Sequence, residues 1–309
     1  MNLEDLQKHY KNNDITKSEY IDAMYKHHSI LFEYSSFIQK TNISSIEIKD
    51  NEVIANFRDS EVKFICISGD KRLAPLDTLN FSEYEREELE MQYKIISPNA
   101  VIIDIGANLG WYSLHIAKRF TNSKIYAFEP IPRTFEYLNK NIQLNKIKNI
   151  STFPIGLSNK PGRMELYFDP LLSVNASLKN VSESQNVETI QCEIDTLDNF
   201  CENKEIKHVD FIKCDVEGAE LFSLQGAEHI LKTSKPIVFC EMLRKWSQKF
   251  EYHPNDIIAF MKNLNYNCTV IRNKNLELIQ EVNEETKDTN FIFLHSQNHK
   301  NLLNEYNIK

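Results

Sequence analysis

Four short stretches carry the residues with most chemical promise. Asp104-Ile105-Gly106-Ala107-Asn108-Leu109-Gly110 separates an apolar run from an amphipathic one, and Glu129 follows Gly110 by 19 residues. Further on, Asp215 and Glu217 end one apolar run and Glu241 ends the next. Small residues at a strand-to-helix junction let the backbone approach a ligand, and a carboxylate at the end of the following strand accepts hydrogen bonds from ribose hydroxyls, so the pattern is that of a nucleotide-type site. A dinucleotide loop needs a central glycine for the close approach of pyrophosphate. Here the loop reads G-A-N-L-G, which disfavours a nicotinamide cofactor. Asp104, Glu129, Asp215 and Glu217 would also form an acidic rim, which repels a pyrophosphate and suits a sulfonium and an amino-acid ammonium. The bland reading, a strand–turn–helix junction with an incidental aspartate, leaves Glu129 unexplained.

These residues need a frame, and the chain alternates as one would. VIID (101–104), KIYAF (124–128), VDFIKC (209–214) and PIVFCE (236–241) read as short buried strands. Between them WYSLHIAKRF (111–120), RTFEYLNKNIQLN (133–145) and AELFSLQGAEHILK (219–232) read as helices, the second starting just after Pro132. Residues 82–96 are expected to form a helix capped by Ser82. Strands and helices in this order imply a doubly wound, mainly parallel α/β sheet, with ligands beyond the carboxyl ends of its strands. The expected division is an N-terminal extension, 1–80, of helical segments and a small antiparallel meander, followed by the catalytic domain, 81–309.

Composition narrows the function. A net charge of −8 and a pI near 5.7 argue against a phosphate-backbone partner, so no nucleic acid is expected. No membrane-length apolar run and no signal-like start are visible, which makes the cytoplasm the expected location. The six cysteines form no CxxC pair and are expected to be free, mostly buried thiols. Of seven glycines, six lie between Gly106 and Gly226, which places special backbone in the same stretch as the candidate chemistry.

Beyond the residue-level reading, IDIGANLGWYS, AFEPIPRTFEYLNKNIQLN, GLSNKPG followed by NASL, DTLDNF and DFIKCDVEGAELFSLQGAEHIL with a later PIVFCE resemble the FkbM-type branch of the class I methyltransferases. Trp111 and Cys214 stand where other bulky apolar residues are common in that pattern, and residues 1–80 fall largely outside it. The resemblance implies S-adenosyl-L-methionine as cofactor, with Asp104, Gly106, Asn108 and Gly110 shaping the methionine end, Glu129 holding the ribose, and Pro130, Ile131 and Gly156-Leu157-Ser158 near the adenine. It also implies an acceptor hydroxyl on a sugar, glycoconjugate or secondary metabolite. A hydroxyl must lose its proton on methylation, and a base at a strand end is well placed. Asp215 is the first candidate, Glu217 the second and Glu241 the third. The same acids could hold a divalent cation, but their spacing does not establish a site, and no metal is assigned. Acceptor choice is expected in 1–80 and in the loops 169–186 and 243–254, and a homo-oligomer stays open. Two other readings are a nicotinamide-dependent oxidoreductase and a non-catalytic cofactor-binding protein.

Overall fold

The computed structural model describes residues 1–72, 74–169, 172–177 and 188–308. Within the expected acceptor segment 169–186, residues 170, 171 and 178–186 therefore lie outside the described residues. The chain opens with helices Leu3–Lys11 and Lys17–Phe37, capped by Asn2 and by a Thr16/Glu19 capping box. Strands β1 (Ile43–Lys49), β2 (Glu52–Phe57) and β3 (Lys63–Cys66) then form an antiparallel sheet in that order. Its apolar face does not stand apart. Ile43, Ala55, Phe57 and Phe64 share one core with Trp111, Leu114 and Ile116. Asn141 and Asn145, at the end of helix Pro132–Leu144, accept from the backbone N–H groups of Ile65 and Lys63 at 3.0 and 2.8 Å.

The main sheet is built from β4 (Val101–Ile105), β5 (Lys124–Phe128), β6 (Ile150–Phe153), β11 (Phe211–Cys214), β12 (Ile237–Glu241), β13 (Tyr266–Arg272), β14 (Asn275–Leu278) and β15 (Asn290–His295). Their spatial order is β14-β13-β15-β12-β11-β4-β5-β6. The pairs from β12 to β6 are parallel; β15, β13 and β14 close one edge antiparallel. From β4 the chain winds outward through β5 and β6, then returns to the other side of β4 as β11 and β12. The switch point, where ligands bind in such sheets, falls between β4 and β11. A smaller sheet, β7 (Gly156–Leu157), β10 (Glu188–Asp195), β8 (Gly162–Asp169) and β9 (Leu172–Ser177) in that spatial order, stands beside this end.

Two helices differ from expectation. The helix expected over 82–96 begins only at Arg86, because Ser82 and Glu85 take left-handed conformations, at φ 73° and 43°, and Ser82 uses its carbonyl to accept from Asn42 rather than its side chain to cap. The chain must reverse there after the preceding helix, Ala74–Phe81, and that turn overrides the cap signal. The segment 219–232 is two helices, Glu220–Gln225 and Glu228–Thr233, broken at Gly226. A Cβ at Gly226 would sit 2.0 Å from the Ser158 carbonyl oxygen, so the break is where the β7 turn packs against the helix. The short elements Arg244–Ser247, β14 and Lys300–Glu305 carry no period long enough to be read in advance.

Candidate functional site

The strand ends of β4, β5 and β11 build the floor. Gly106 follows β4 at φ 76°, and a Cβ there would lie 1.9 Å from the Asp215 carbonyl oxygen, so only glycine lets these two strand ends meet. The Gly106 and Ala107 N–H groups both donate to the Phe128 carbonyl, at 3.0 and 2.9 Å, which folds the loop over β5. Asn108 is left-handed (φ 51°) and donates its N–H to Glu129 Oε2 at 2.9 Å, while Ile131 N–H donates to Glu129 Oε1 at 2.9 Å. Glu129 is thus fixed by two backbone donors, and burial pushes its carboxyl up to about 7 against the effect of those donors.

A pocket opens above this floor. Its lining brings together Gly106, Asn108, Glu129, Pro130, Gly156, Leu157, Asp215 and Glu217, all named from sequence. Three others named with them lie behind it. Asp104 is buried and accepts from Ser113 Oγ at 2.6 Å; Gly110 caps helix Trp111–Arg119 against Leu114 and Leu138; Ser158 is buried with its carbonyl against Gly226. Apolar side chains that sequence reading did not single out, including Leu166 of β8 and Ile194 of β10, complete the wall. Ile131, Leu166 and Cys192 pack together as a separate small cluster. Trp111 and Tyr112 are buried in the main core rather than in the pocket.

Lys213 was missed altogether. It lies inside an apolar strand, where its charge reads as an interruption, yet parallel register sets it beside Asp104 and sequence spacing sets it two residues from Asp215 on the same face. Its buried ammonium donates to the Gly106 carbonyl at 2.8 Å and stands 3.1 Å from Asp215 Oδ2 and 3.6 Å from Asp104 Oδ1. Burial alone would push the ammonium down, but Asp215 and Asp104 together hold it above the ordinary lysine range. The signal available in the sequence was a lysine two residues before the strand-end aspartate.

At the mouth, β11 and β12 run in register, Cys214 beside Cys240, so the residues that follow or end them converge. Asp215, Glu217 and Glu241 each bring a carboxylate oxygen within 4.8 Å of the others. Burial, then the neighbouring charge of Asp215, pushes the carboxyls of both Glu217 and Glu241 well above the ordinary glutamate range. Glu85 is pushed up to about 7 by burial and by Asp215. Buried Glu220 holds the turn in place, its Oε1 accepting from Val216 and Gly218 N–H, both at 3.0 Å, and its Oε2 from the Tyr252 hydroxyl at 3.2 Å. His253 lies away from this cluster as a helix cap, its Nδ1 accepting from Asn255.

A doubly wound α/β domain with a carboxylate-lined pocket at its switch point is the class that fold and site define. The family described as "Methyltransferase FkbM domain" matches residues 104–268, and the chain belongs to that family. Among its relatives, Methyltransferase 1 of Beauveria bassiana is 29% identical over 147 residues, 42% of this chain and 59% of that protein. The 2-O-methyltransferase NoeI of Sinorhizobium fredii is 25% identical over 164 residues, 48% of this chain and 67% of that protein. The hexuronic acid methyltransferase AglP of Haloferax volcanii is 26% identical over 149 residues, 48% of this chain and 59% of that protein. The matches thus span roughly three fifths to two thirds of these relatives' lengths. No helix among the described residues is long and apolar enough to cross a membrane.

Proposed function

We propose that the protein is an S-adenosyl-L-methionine-dependent O-methyltransferase acting on a hydroxyl of a carbohydrate or other small molecule. The observation that carries the reading is the placement of three converging carboxylates at the mouth of a pocket whose floor is the Gly106–Gly110 loop and Glu129. Asn108 supports the fit to the cofactor: its side-chain Oδ1 is buried without a protein hydrogen-bond partner while the residue lines the pocket, so an acceptor awaits a donor such as an ammonium or a ribose hydroxyl. Glu129 keeps free lone pairs for ribose, and the apolar wall of Ile131, Leu166 and Ile194 offers a face for the purine.

The cofactor supplies a methyl group already activated on positively charged sulfur. The chain has to bind it, hold the acceptor oxygen in line with that methyl, exclude water, and take the acceptor's proton. The acceptor hydroxyl would lose its proton to one of the carboxylates at the mouth. Asp215 is bound to Lys213 and lines the cofactor pocket, which suits it to positioning. Glu217 and Glu241, with raised proton affinity, suit the base. The relatives named for 2-O-methylation and for hexuronic acid support an oxygen acceptor on a sugar. The net negative charge speaks for a small or carbohydrate acceptor over nucleic acid, and a cytoplasmic setting belongs to the same reading.

Calorimetric titration with S-adenosyl-L-methionine and, in parallel, with NAD tests the reading. Micromolar binding of the methyl donor alone is expected. Binding of NAD alone would overturn it in favour of the oxidoreductase. Donor binding with no methylated product across a panel of sugars and small hydroxylated acceptors would favour a non-catalytic binder.

A further inference from the structure

The turn between helices Ala74–Phe81 and Arg86–Ile95 lies outside the stretch 104–268 that matches the family, and it carries a further acid, half-buried Glu85. Glu85 occupies the N-cap position of the second helix in a left-handed conformation, φ 43°, which a glutamate adopts only at a cost. A carboxylate at a helix start ordinarily serves that helix's N–H groups. The Glu85 side chain makes no such bond, and among the described residues it has no ion pair. Its neighbours hold the turn without it. The Tyr84 ring packs edge-on against Trp111 at 5.2 Å, and Arg86 pairs with Asp59, Glu83 and Glu90. A strained residue that supports neither its turn nor its helix points to a role in binding.

Neighbouring contacts place this acid. One turn along the same helix, Glu88 Oε1 accepts from Asn290 Nδ2 at 3.4 Å, and Asn290 is the register partner of Glu241. The buried Tyr112 ring packs 5.5 Å from Phe239, which shares a face of β12 with Glu241, and lies 5.7 Å from Lys213 Nζ, the partner of Asp215. Asp215, the Tyr112 hydroxyl and Lys213 all act on the Glu85 carboxyl, so it belongs to the opening where Asp215, Glu217 and Glu241 converge. We propose that Glu85 contacts the acceptor: its carboxylate accepts a hydrogen bond from the hydroxyl beside the one that is methylated, so the acceptor carries two adjacent hydroxyls. This rests on the O-methyltransferase reading, in which Glu217 or Glu241 takes the proton of the reacting hydroxyl. Hydroxyls on neighbouring carbons present two donors side by side, and acids from two separate elements at one opening match them. Asp215 is already engaged by Lys213, which leaves Glu85 for the second hydroxyl.

Radiolabelled methyl transfer by the full chain tests this, with donor affinity read by calorimetry. The acceptors are the methyl α-glycosides of glucose, galactose, mannose and glucuronic acid, the monodeoxy glycosides lacking the hydroxyl beside the methylated one, and cyclohexanol as a single-hydroxyl acceptor. Glu85→Ala should raise KM for the parent glycoside about 10-fold or more, the loss expected when a charged hydrogen-bond partner is removed, and leave the donor Kd unchanged. For the monodeoxy glycoside native chain and variant should share one KM, because the contact is already absent. Glu85→Gln, which keeps an acceptor oxygen, should restore part of the loss. Glu85→Gly suits the left-handed backbone and replaces the alanine variant if that chain does not fold. A KM raised equally for parent and deoxy glycosides makes Glu85 structural and overturns the proposal, as does a parent KM unchanged in Glu85→Ala. Turnover of cyclohexanol with no turnover of any glycoside overturns this inference alone. No product from any acceptor, by a chain that binds the donor, overturns the O-methyltransferase reading and this inference with it.

Discussion

Lys213, Asp104 and Asp215 form a buried ionic group in which one cation serves two anions and a carbonyl. Replacing Lys213 by Met preserves the apolar stem but leaves two carboxylates uncompensated, so a loss of about 3–5 kcal/mol in urea unfolding is expected, with donor binding lost as well. A Lys213→Met chain as stable as the native one would show the group to be dispensable. The base assignment is tested at the same scale. If Glu217 or Glu241 takes the proton, only the ionised form works, and turnover should rise with pH through an inflection above the ordinary glutamate range, because burial and Asp215 raise both groups. Glu241→Gln and Glu217→Gln should identify it. The base's variant should lose about 100-fold or more in kcat with donor affinity nearly intact. Asp215→Asn should instead weaken donor binding. A profile flat from pH 5 to 9 would remove both glutamates from proton transfer.

At the scale of elements, Gly226 separates propensity from packing. By propensity, alanine in place of a helical glycine is favourable by up to about 1 kcal/mol. Here the new Cβ would meet the Ser158 carbonyl oxygen at 2.0 Å, so Gly226→Ala should destabilise by about 1–3 kcal/mol and displace the β7 turn that walls the pocket. A melting temperature equal to or above that of the native chain would contradict this. The same reasoning explains why the 219–232 segment looked like one helix in sequence: its apolar period continues through Gly226, and only the approach of the Ser158 turn demands the break. The strands were easier to read, since β4, β5, β11 and β12 are largely buried on both faces and appear as mainly apolar runs, broken only by single charges such as Asp104 and Lys213.

For the whole molecule, the raised acids set the pH dependence of stability. Glu85, Glu129 and Glu220 are pushed up to about 7, chiefly by burial, from an ordinary 4.5. Buried His115 and half-buried His299 are pushed down to about 4, chiefly by desolvation, and oppose this trend below their ordinary 6.5. Above pH 6.5 the unfolded chain has already released these protons, whereas the folded chain still holds those of the three glutamates. Unfolding then releases protons, and stability falls as pH rises. Without ligand, the melting temperature should drop between pH 6.5 and 8.5; a rise over that range would show the glutamates to be ionised throughout in the fold.

The doubly wound architecture and the loop with its downstream carboxylate were legible in the sequence because both are local: a strand, a turn and a helix are adjacent in the chain, and Glu129 ends the very next strand. The resemblance in the same blocks pointed to the family that the match over 104–268 shows. What the sequence could not determine is register across strands far apart in the chain. Asp104 meets Lys213, and Asp215 meets Glu241, only because β4, β11 and β12 pair in parallel at one offset. A shift of one residue would turn each of those side chains to the opposite face of the sheet. The ionic group beneath the pocket, the three-carboxylate mouth and the burial that raises its proton affinity are therefore products of tertiary packing, which sets the distances and the exclusion of water that charge interactions depend on.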